Sequence, residues 1–304
     1  MIKHLFSIVY LTLISSCYGQ SININGKIID YETDLPLAYA TIELFSLHTG
    51  TIADENGKFI LETVIRDSQS DTIEFSYLGY ETEKICVADF LVTDNTIKLI
   101  RLPIALEEVE ISPKEYKTEI IGVRDKKPTG FQVANIFGAN KGKYLRNPRK
   151  EVGWIKSVSY YLHSSGYPTC PFRVRIYKPG TDNTPGEDLL KENVIASAGK
   201  SGWIKIDISE YSIPFPKEGA FIMMEWINSG EEFYFETELS ATGVNGELRV
   251  MKRKFYGQVL GTVSKKGGIG LWGSNLGNEW VPYNFNNNGK YPNAMINAEV
   301  AFEK

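Results

Sequence analysis

Histidine and cysteine are almost missing from this sequence. Its 304 residues hold three of each, at His4, His48 and His163 and at Cys17, Cys86 and Cys170. A zinc hydrolase needs histidines and a carboxylate converging on one ion, with a position left open for water. His48 and His163 are far apart in sequence, and neither stands in a His-Glu-x-x-His frame. Solvated loops are the expected place for both, and neither a metal site nor a cofactor is expected. A serine hydrolase is no better supplied, because no Gly-x-Ser-x-Gly elbow occurs. Gly267-Gly268-Ile269-Gly270 lacks the Gly-Lys-Ser/Thr ending and the following helix of a phosphate loop. Acids and bases nearly balance, at a net charge of -4, and no nucleic-acid-binding fold is recognisable, so no nucleic-acid partner is expected. Sustained helical periodicity is also lacking, since residues 88–94 offer a turn or two at most.

One long apolar run exists, at residues 5–14 behind Lys3 and His4. It is too short to cross a bilayer and suits the core of a signal peptide. Cleavage after Gly19 makes residues 1–19 the signal peptide and starts the mature chain at Gln20. Ile14-Ser15-Ser16-Cys17 also resembles a lipobox, which makes a lipoprotein anchored through Cys17 the alternative. The first is preferred because residues 22–29 already read as strand and leave no tether. Either way the chain is exported, to the periplasm or an outer-membrane-associated place, with no transmembrane segment in the mature chain. Export permits disulfides, but Cys86 and Cys170 fall in different halves and are expected to stay unbridged.

What the sequence does have is alternation. Thr41-Ile42-Glu43-Leu44, Thr72-Ile73-Glu74-Phe75, Phe172-Arg173-Val174-Arg175-Ile176 and Trp203-Ile204-Lys205-Ile206-Asp207-Ile208 alternate polar with apolar, the period of half-buried strands. Turn pairs such as Asn25-Gly26, Asn56-Gly57, Pro179-Gly180 and Asn245-Gly246 separate them. The pattern predicts an all-β protein built of sandwiches. Between residues 113 and 150 ten Lys and Arg face three Asp and Glu, and all five tryptophans come later. The expected organisation is a β-sandwich over residues 20–112, a basic linker over 113–128 and a larger jelly-roll-like sandwich over 129–304. Lys126-Lys127 and Lys141-Gly142-Lys143 are expected in a solvated basic connector.

Gly50 to Leu61, GTIADENGKFIL, crowds Asp54-Glu55-Asn56-Gly57 before an apolar run. As a calcium loop with Gly57 at the sixth position it would place Ile52 and Thr63 where the first and last ligands belong. A hairpin turn at Asn56-Gly57 asks for less. The turn belongs to a larger set: Asn25-Gly26-Lys27-Ile28-Ile29-Asp30, then Leu35-Pro36-Leu37-Ala38-Tyr39-Ala40-Thr41-Ile42, then Gly50 to Phe59, then Phe75-Ser76-Tyr77-Leu78-Gly79-Tyr80-Glu81-Thr82 and Leu106-Glu107-Glu108-Val109-Glu110-Ile111. In this order and spacing it resembles the carboxypeptidase regulatory-like domain of Bacteroidetes envelope proteins, across residues 22–112. The resemblance implies a seven-stranded prealbumin-like sandwich and a noncatalytic accessory role. In that family the module often precedes TonB-dependent receptors, but the residues that follow here are too few for a plug and a 22-stranded barrel.

The second half carries no recognisable family signature. Residues 270–293 concentrate glycine, asparagine and aromatics. Trp272, Trp280, Tyr283 and Asn286 would suit a glycan, because aromatic faces stack on sugar rings and amides pair with hydroxyls. The competing reading makes Trp272 and Trp280 core anchors. The expected function is that of a noncatalytic envelope protein with a binding or assembly role. Its N-terminal module docks and its C-terminal sandwich meets a glycan or protein partner. An envelope hydrolase built from dispersed carboxylates and a purely structural spacer are the alternatives.

Overall fold

The computed structural model describes residues 20–65, 71–90, 95–103, 115–242, 247–266, 270–276, 278–283 and 289–304. The expected leader with Cys17, the end of the module at residues 104–112 and Asn286 lie outside the described residues.

The protein is all-β, as the alternation predicts. Its N-terminal part uses β1 (Gln20–Asp30), β2 (Thr41–Leu44), β3 (Thr49–Ile52), β4 (Lys58–Ile65), β5 (Thr72–Ser76), β6 (Glu83–Cys86) and β7 (Thr96–Leu99). They form a sheet of order β4-β1-β7 and a second of order β3-β2-β5-β6. Alternate residues point inward, so Ile24 and Ile28 of β1, Ile42 of β2, Phe59 and Leu61 of β4 and Phe75 of β5 share one core. Phe90, from the single helical turn Val87–Phe90, joins Phe59 and Phe75 with ring centroids 5.7–6.3 Å apart. Each such ring withdraws enough apolar surface to contribute about 1.5–3 kcal/mol.

The turn at Asn56-Gly57 forms, but it does not make a hairpin. It passes the chain from β3 in one sheet to β4 in the other. Asp54 holds it, its Oδ1 accepting the backbone N–H groups of Asn56 and Lys58 at 2.8 Å each. Gly57 has φ +73° and abuts the Ile28 carbonyl, where any Cβ would collide. Local alternation specifies two strands and a turn; which sheet each strand joins is settled by the core.

The remaining strands are β8 (Tyr116–Gly122), β9 (Gly130–Ala134), β10 (Asn140–Arg146), β11 (Gly153–Leu162), β12 (Phe172–Pro179), β13 (Pro185–Asp188), β14 (Ile195–Ala196), β15 (Gly202–Asp207), β16 (Pro214–Phe215), β17 (Gly219–Glu225), β18 (Tyr234–Thr242), β19 (Leu248–Lys266), β20 (Trp272–Ser274), β21 (Val281–Pro282), β22 (Lys290–Ala294) and β23 (Ile296–Glu303). One sheet runs β13-β12-β17-β10-β20-β21 with β14 on β12. The other runs β18-β19-β11-β23-β8, with β15 and β16 on β11 and with β9 and β22 on β19. They enclose a second, separate core that includes Val174, Ile176, Ile222, Met224, Val158 and Val300.

Two expectations are corrected here. Residues 116–122, expected inside a linker, form β8 and pair along their length with β23. The charges that suggested a connector belong to an edge strand, where Glu119 meets Arg149 at 2.6 Å; charge is how exposed edges avoid further pairing. Lys141 and Lys143 are not in a solvated connector either. They lie in β10, on the face opposite Asn140 and Gly142, and burial pushes both ammonium groups down to about 8. Lys141 Nζ donates to the Val133 carbonyl at 2.6 Å.

Candidate binding site between the two sandwiches

Every residue of β17 is buried, which one covered face cannot produce. Ile222 and Met224 point into the larger core, while Phe221, Met223 and Glu225 point out of it. The outer face of this sheet is covered by the N-terminal sandwich and by the segment carrying Trp272 and Trp280. A small cluster closes the contact, with Ile52 of β3 packed on Ile227 and Leu276. Gly138 and Gly50 leave room for Leu276, and a Cβ on either would collide with it.

Strand register aligns the polar residues of this covered face. Arg173 lies opposite Glu225, Glu225 opposite Asn140, and Asn140 opposite Ser274, so four strands deliver one row. Arg173 and Glu225 side chains are 2% and 1% exposed and meet at 3.0 Å. Arg175 Nη1 donates to the same carboxylate oxygen of Glu225 at 3.1 Å, and its fork also grips Asp188 at 3.2 and 2.5 Å. Arg173 Nε donates to Asn193 Oδ1 at 2.7 Å, and its Nη2 donates to the Tyr39 carbonyl of the N-terminal sandwich. Asn193 in turn donates to the Ala38 carbonyl at 3.3 Å and to the Tyr77 hydroxyl at 3.0 Å. Burial pushes the Glu225 carboxyl up, but the two guanidiniums outweigh it and hold the group below its ordinary value. Burial disfavours the charged Arg175 guanidinium, but Tyr177, Asp188 and Glu225 hold it charged; at Asp188 burial outweighs the arginine and pushes the carboxyl up.

Above this row lies a cavity of about 340 Å³. Thr41, Glu43, Ser76 and Tyr77 of the N-terminal sandwich wall one side, and Asn278 and Trp280 another. Trp280 stands edge-on to Tyr177 at 5.3 Å. The expected site residues therefore separate. Trp280 lines the cavity. Trp272 is half-buried and stands edge-on to Phe221 at 5.5 Å, beside the cavity and not in its wall. Tyr283 packs partly against the larger core, lies under the Lys141 ammonium at 5.3 Å and faces a neighbouring groove with His48 and Glu279. Asn286 is outside the described residues.

The residues that sequence reading missed are Arg173, Arg175, Glu225, Asn140 and Asn193. A visible signal existed: Glu225 is a lone acid within the apolar run 220–227. Chemically the row offers hydrogen bonds and fixed charge. Glu225 is held ionised by its arginines, which does not suit proton transfer at that group. Among the described residues, no three or more His, Cys, Asp or Glu side chains converge as a metal would require. His48 is exposed, whereas His163 is half-buried against Phe131 at a centroid distance of 5.0 Å. Cys86 and Cys170 are not joined in a disulfide. No described helix is long and apolar enough to cross a membrane.

Comparison with curated proteins finds no match to the chain. Residues 24–111 match the family model described as the CarboxypepD_reg-like domain. The sandwich that roofs the cavity is that match, and this part of the chain is a carboxypeptidase regulatory-like domain.

Proposed function

We propose that this chain is an exported, noncatalytic binding protein of a bacterial envelope, whose site lies between its two sandwiches. The N-terminal module docks against the larger sandwich and completes the walls of the cavity. The observation that carries this reading is the pairing of the cavity-floor carboxylates with arginine. Glu225 and Asp188 both line the cavity, yet each is already paired with arginine. Domains of the matching family are noncatalytic modules, which agrees with a binding role. Export rests on residues 1–19 and their small residues before Gln20.

The test is thermal unfolding of the mature chain with pooled envelope components, comprising peptidoglycan fragments, oligosaccharides and small peptides. A pool that raises the melting temperature of the native chain, but not that of a Thr41→Trp variant with the cavity filled, supports the reading. Stabilisation equal in both places binding elsewhere. No stabilisation by any pool favours the spacer. Intact-mass measurement of exported protein decides the processing, with a start at Gln20 expected and a diacylglyceryl group on Cys17 overturning it.

A further inference from the structure

We propose that the cavity between the sandwiches takes a neutral, hydroxyl-rich ligand of the pyranose class, bound against Trp280 and Asn140; this rests on the reading above that the cavity is a binding site. Three observations converge on that chemistry.

The first is an orphaned acceptor. Asn140 is 6% exposed and lines the cavity, and its Oδ1 has no hydrogen-bond partner among the described residues. Its amide nitrogen is occupied, donating to the Gly138 carbonyl at 3.1 Å. A buried polar atom left unpaired is destabilising, so a ligand hydrogen that reaches this oxygen is favoured by the pairing it supplies.

Secondly, the wall formed by Ser274 and Asn278 has no spare donor. Ser274 Oγ directs its single hydrogen at the neighbouring carbonyls of Asn278 and Asn275, at 2.8 and 3.1 Å, which leaves only lone pairs for a ligand. Asn278 Nδ2 already donates to the His48 carbonyl at 3.2 Å and the Leu276 carbonyl at 3.0 Å. Both floor arginines are engaged as described. On that side the ligand must supply the hydrogens, while the Thr41, Ser76 and Tyr77 hydroxyls on the opposite side can give or accept them; ligand hydroxyl groups meet both demands without bringing charge. A carboxylate would bring no hydrogens and would compete with Glu225 and Asp188 for arginines already paired. An ammonium would supply hydrogens but would sit beside Arg175.

Shape gives the third argument. Trp280 offers the half-buried aromatic wall on which the C–H face of a sugar ring packs. The volume of about 340 Å³ is near the lower bound of small-molecule sites, about 300–1,000 Å³. That suits the end of a glycan and not a long internal stretch.

The experiment titrates the full mature chain with glucose, galactose, N-acetylglucosamine and their β-linked disaccharides. Glucuronate and glucosamine are the charged comparators. Tryptophan fluorescence and calorimetry are the readouts. At least one neutral sugar is expected to bind and to change the fluorescence. The fluorescence change should vanish in Trp280→Phe and persist in Trp272→Phe. Trp280→Ala should weaken binding at least tenfold. Asn140→Leu should do the same; it removes the orphaned acceptor together with the amide's bonds to the Gly138 carbonyl and Glu225, so its melting temperature is measured beside its binding, and the Trp280→Phe fluorescence result decides the matter if either variant fails to fold. Binding by glucuronate or glucosamine alone overturns the ligand class and leaves a binding site between the sandwiches standing. Silence from every sugar, with stabilisation by a peptide pool that Thr41→Trp abolishes, also overturns the class alone. Silence from every probe and pool overturns both. Neutral-sugar binding that survives Asn140→Leu and Trp280→Phe with unchanged affinity and fluorescence places the sugar elsewhere and refutes the inference.

Discussion

Replacing Glu225 tests whether the row beneath the cavity is a single electrostatic unit. In Glu225→Ala both guanidiniums lose their shared acceptor while remaining buried. Breaking a buried pair by removing one partner costs about 3–5 kcal/mol, because the surviving charge stays desolvated. Arg175 retains Asp188, and Arg173 retains Asn193 and the Tyr39 carbonyl, which sets the expectation at the lower part of that range. With about 2–4 °C of melting temperature per kcal/mol for a unit of this size, the loss corresponds to about 6–12 °C. Glu299→Ala is the control. Glu299 also pairs with a lysine, Lys205, but its side chain is 31% exposed, and such a pair contributes about 0–1 kcal/mol. The double change Arg173→Met with Glu225→Met should recover much of the loss, since apolar replacement of a buried pair is often neutral or better. Urea and thermal unfolding followed by far-ultraviolet circular dichroism supply the free energies. If Glu225→Ala loses no more than Glu299→Ala, the row is solvated and the account of the covered face is wrong.

Gly57→Ala should destabilise the N-terminal sandwich by about 1–3 kcal/mol, because an alanine is forced into a left-handed conformation and against the Ile28 carbonyl; an unchanged urea midpoint refutes the turn geometry. Residues 20–112 are expected to fold alone with one cooperative transition, since their core is separate from the larger one, and a non-cooperative melt of that fragment would count against autonomy. Asp30 accepts from the Tyr80 hydroxyl at 2.7 Å and from the Thr33 and Glu32 backbone, which lowers its carboxyl from 3.8 to about 2. Its contribution is therefore fully present above pH 3.8 and lost as pH falls through about 2; Asp30→Asn should flatten the pH dependence of stability in that interval, and an unaltered slope rejects the assignment. Burial pushes the Cys170 thiol up to about 11, so an aromatic disulfide reagent should modify the half-buried Cys86 well before Cys170 in the native chain; the reverse order shows that Cys170 is accessible.

Strands such as Thr72–Ser76, Phe172–Pro179 and Gly202–Asp207 were legible because their signal is local: neighbouring residues alternate, and one face must be buried. β8 and β10 were obscured by charge. In β10 two lysines take positions on the inner side of a sheet, where composition alone suggests solvent. The candidate site was legible only at its margin. Period two shows that Arg173, Arg175 and Tyr177 share a face, but not what covers that face. The cover is the segment around Tyr39, 134 residues before Arg173, and no window along the chain contains both. Trp280 stood out by residue type. Asn140 did not, since its significance is an unpaired oxygen that exists only after folding.

The pairing of β8 with β23 has a consequence for how the protein is made. Glu115 and Lys304 meet at 2.8 Å across 189 residues of sequence. β23 is the inner strand between β11 and β8. The larger sandwich therefore cannot close until residues 296–303 have emerged from the ribosome and, if exported, from the translocation channel. The smaller one is complete long before. Contacts of such long sequence separation form slowly, so a period exists in which a finished module trails a set of open strands with unpaired edges. The chain is most exposed to proteolysis and misassociation in that interval. An early stop between residues 163 and 295 would leave β11 and β8 without the strand between them, with the N-terminal module intact beside an unfinished partner.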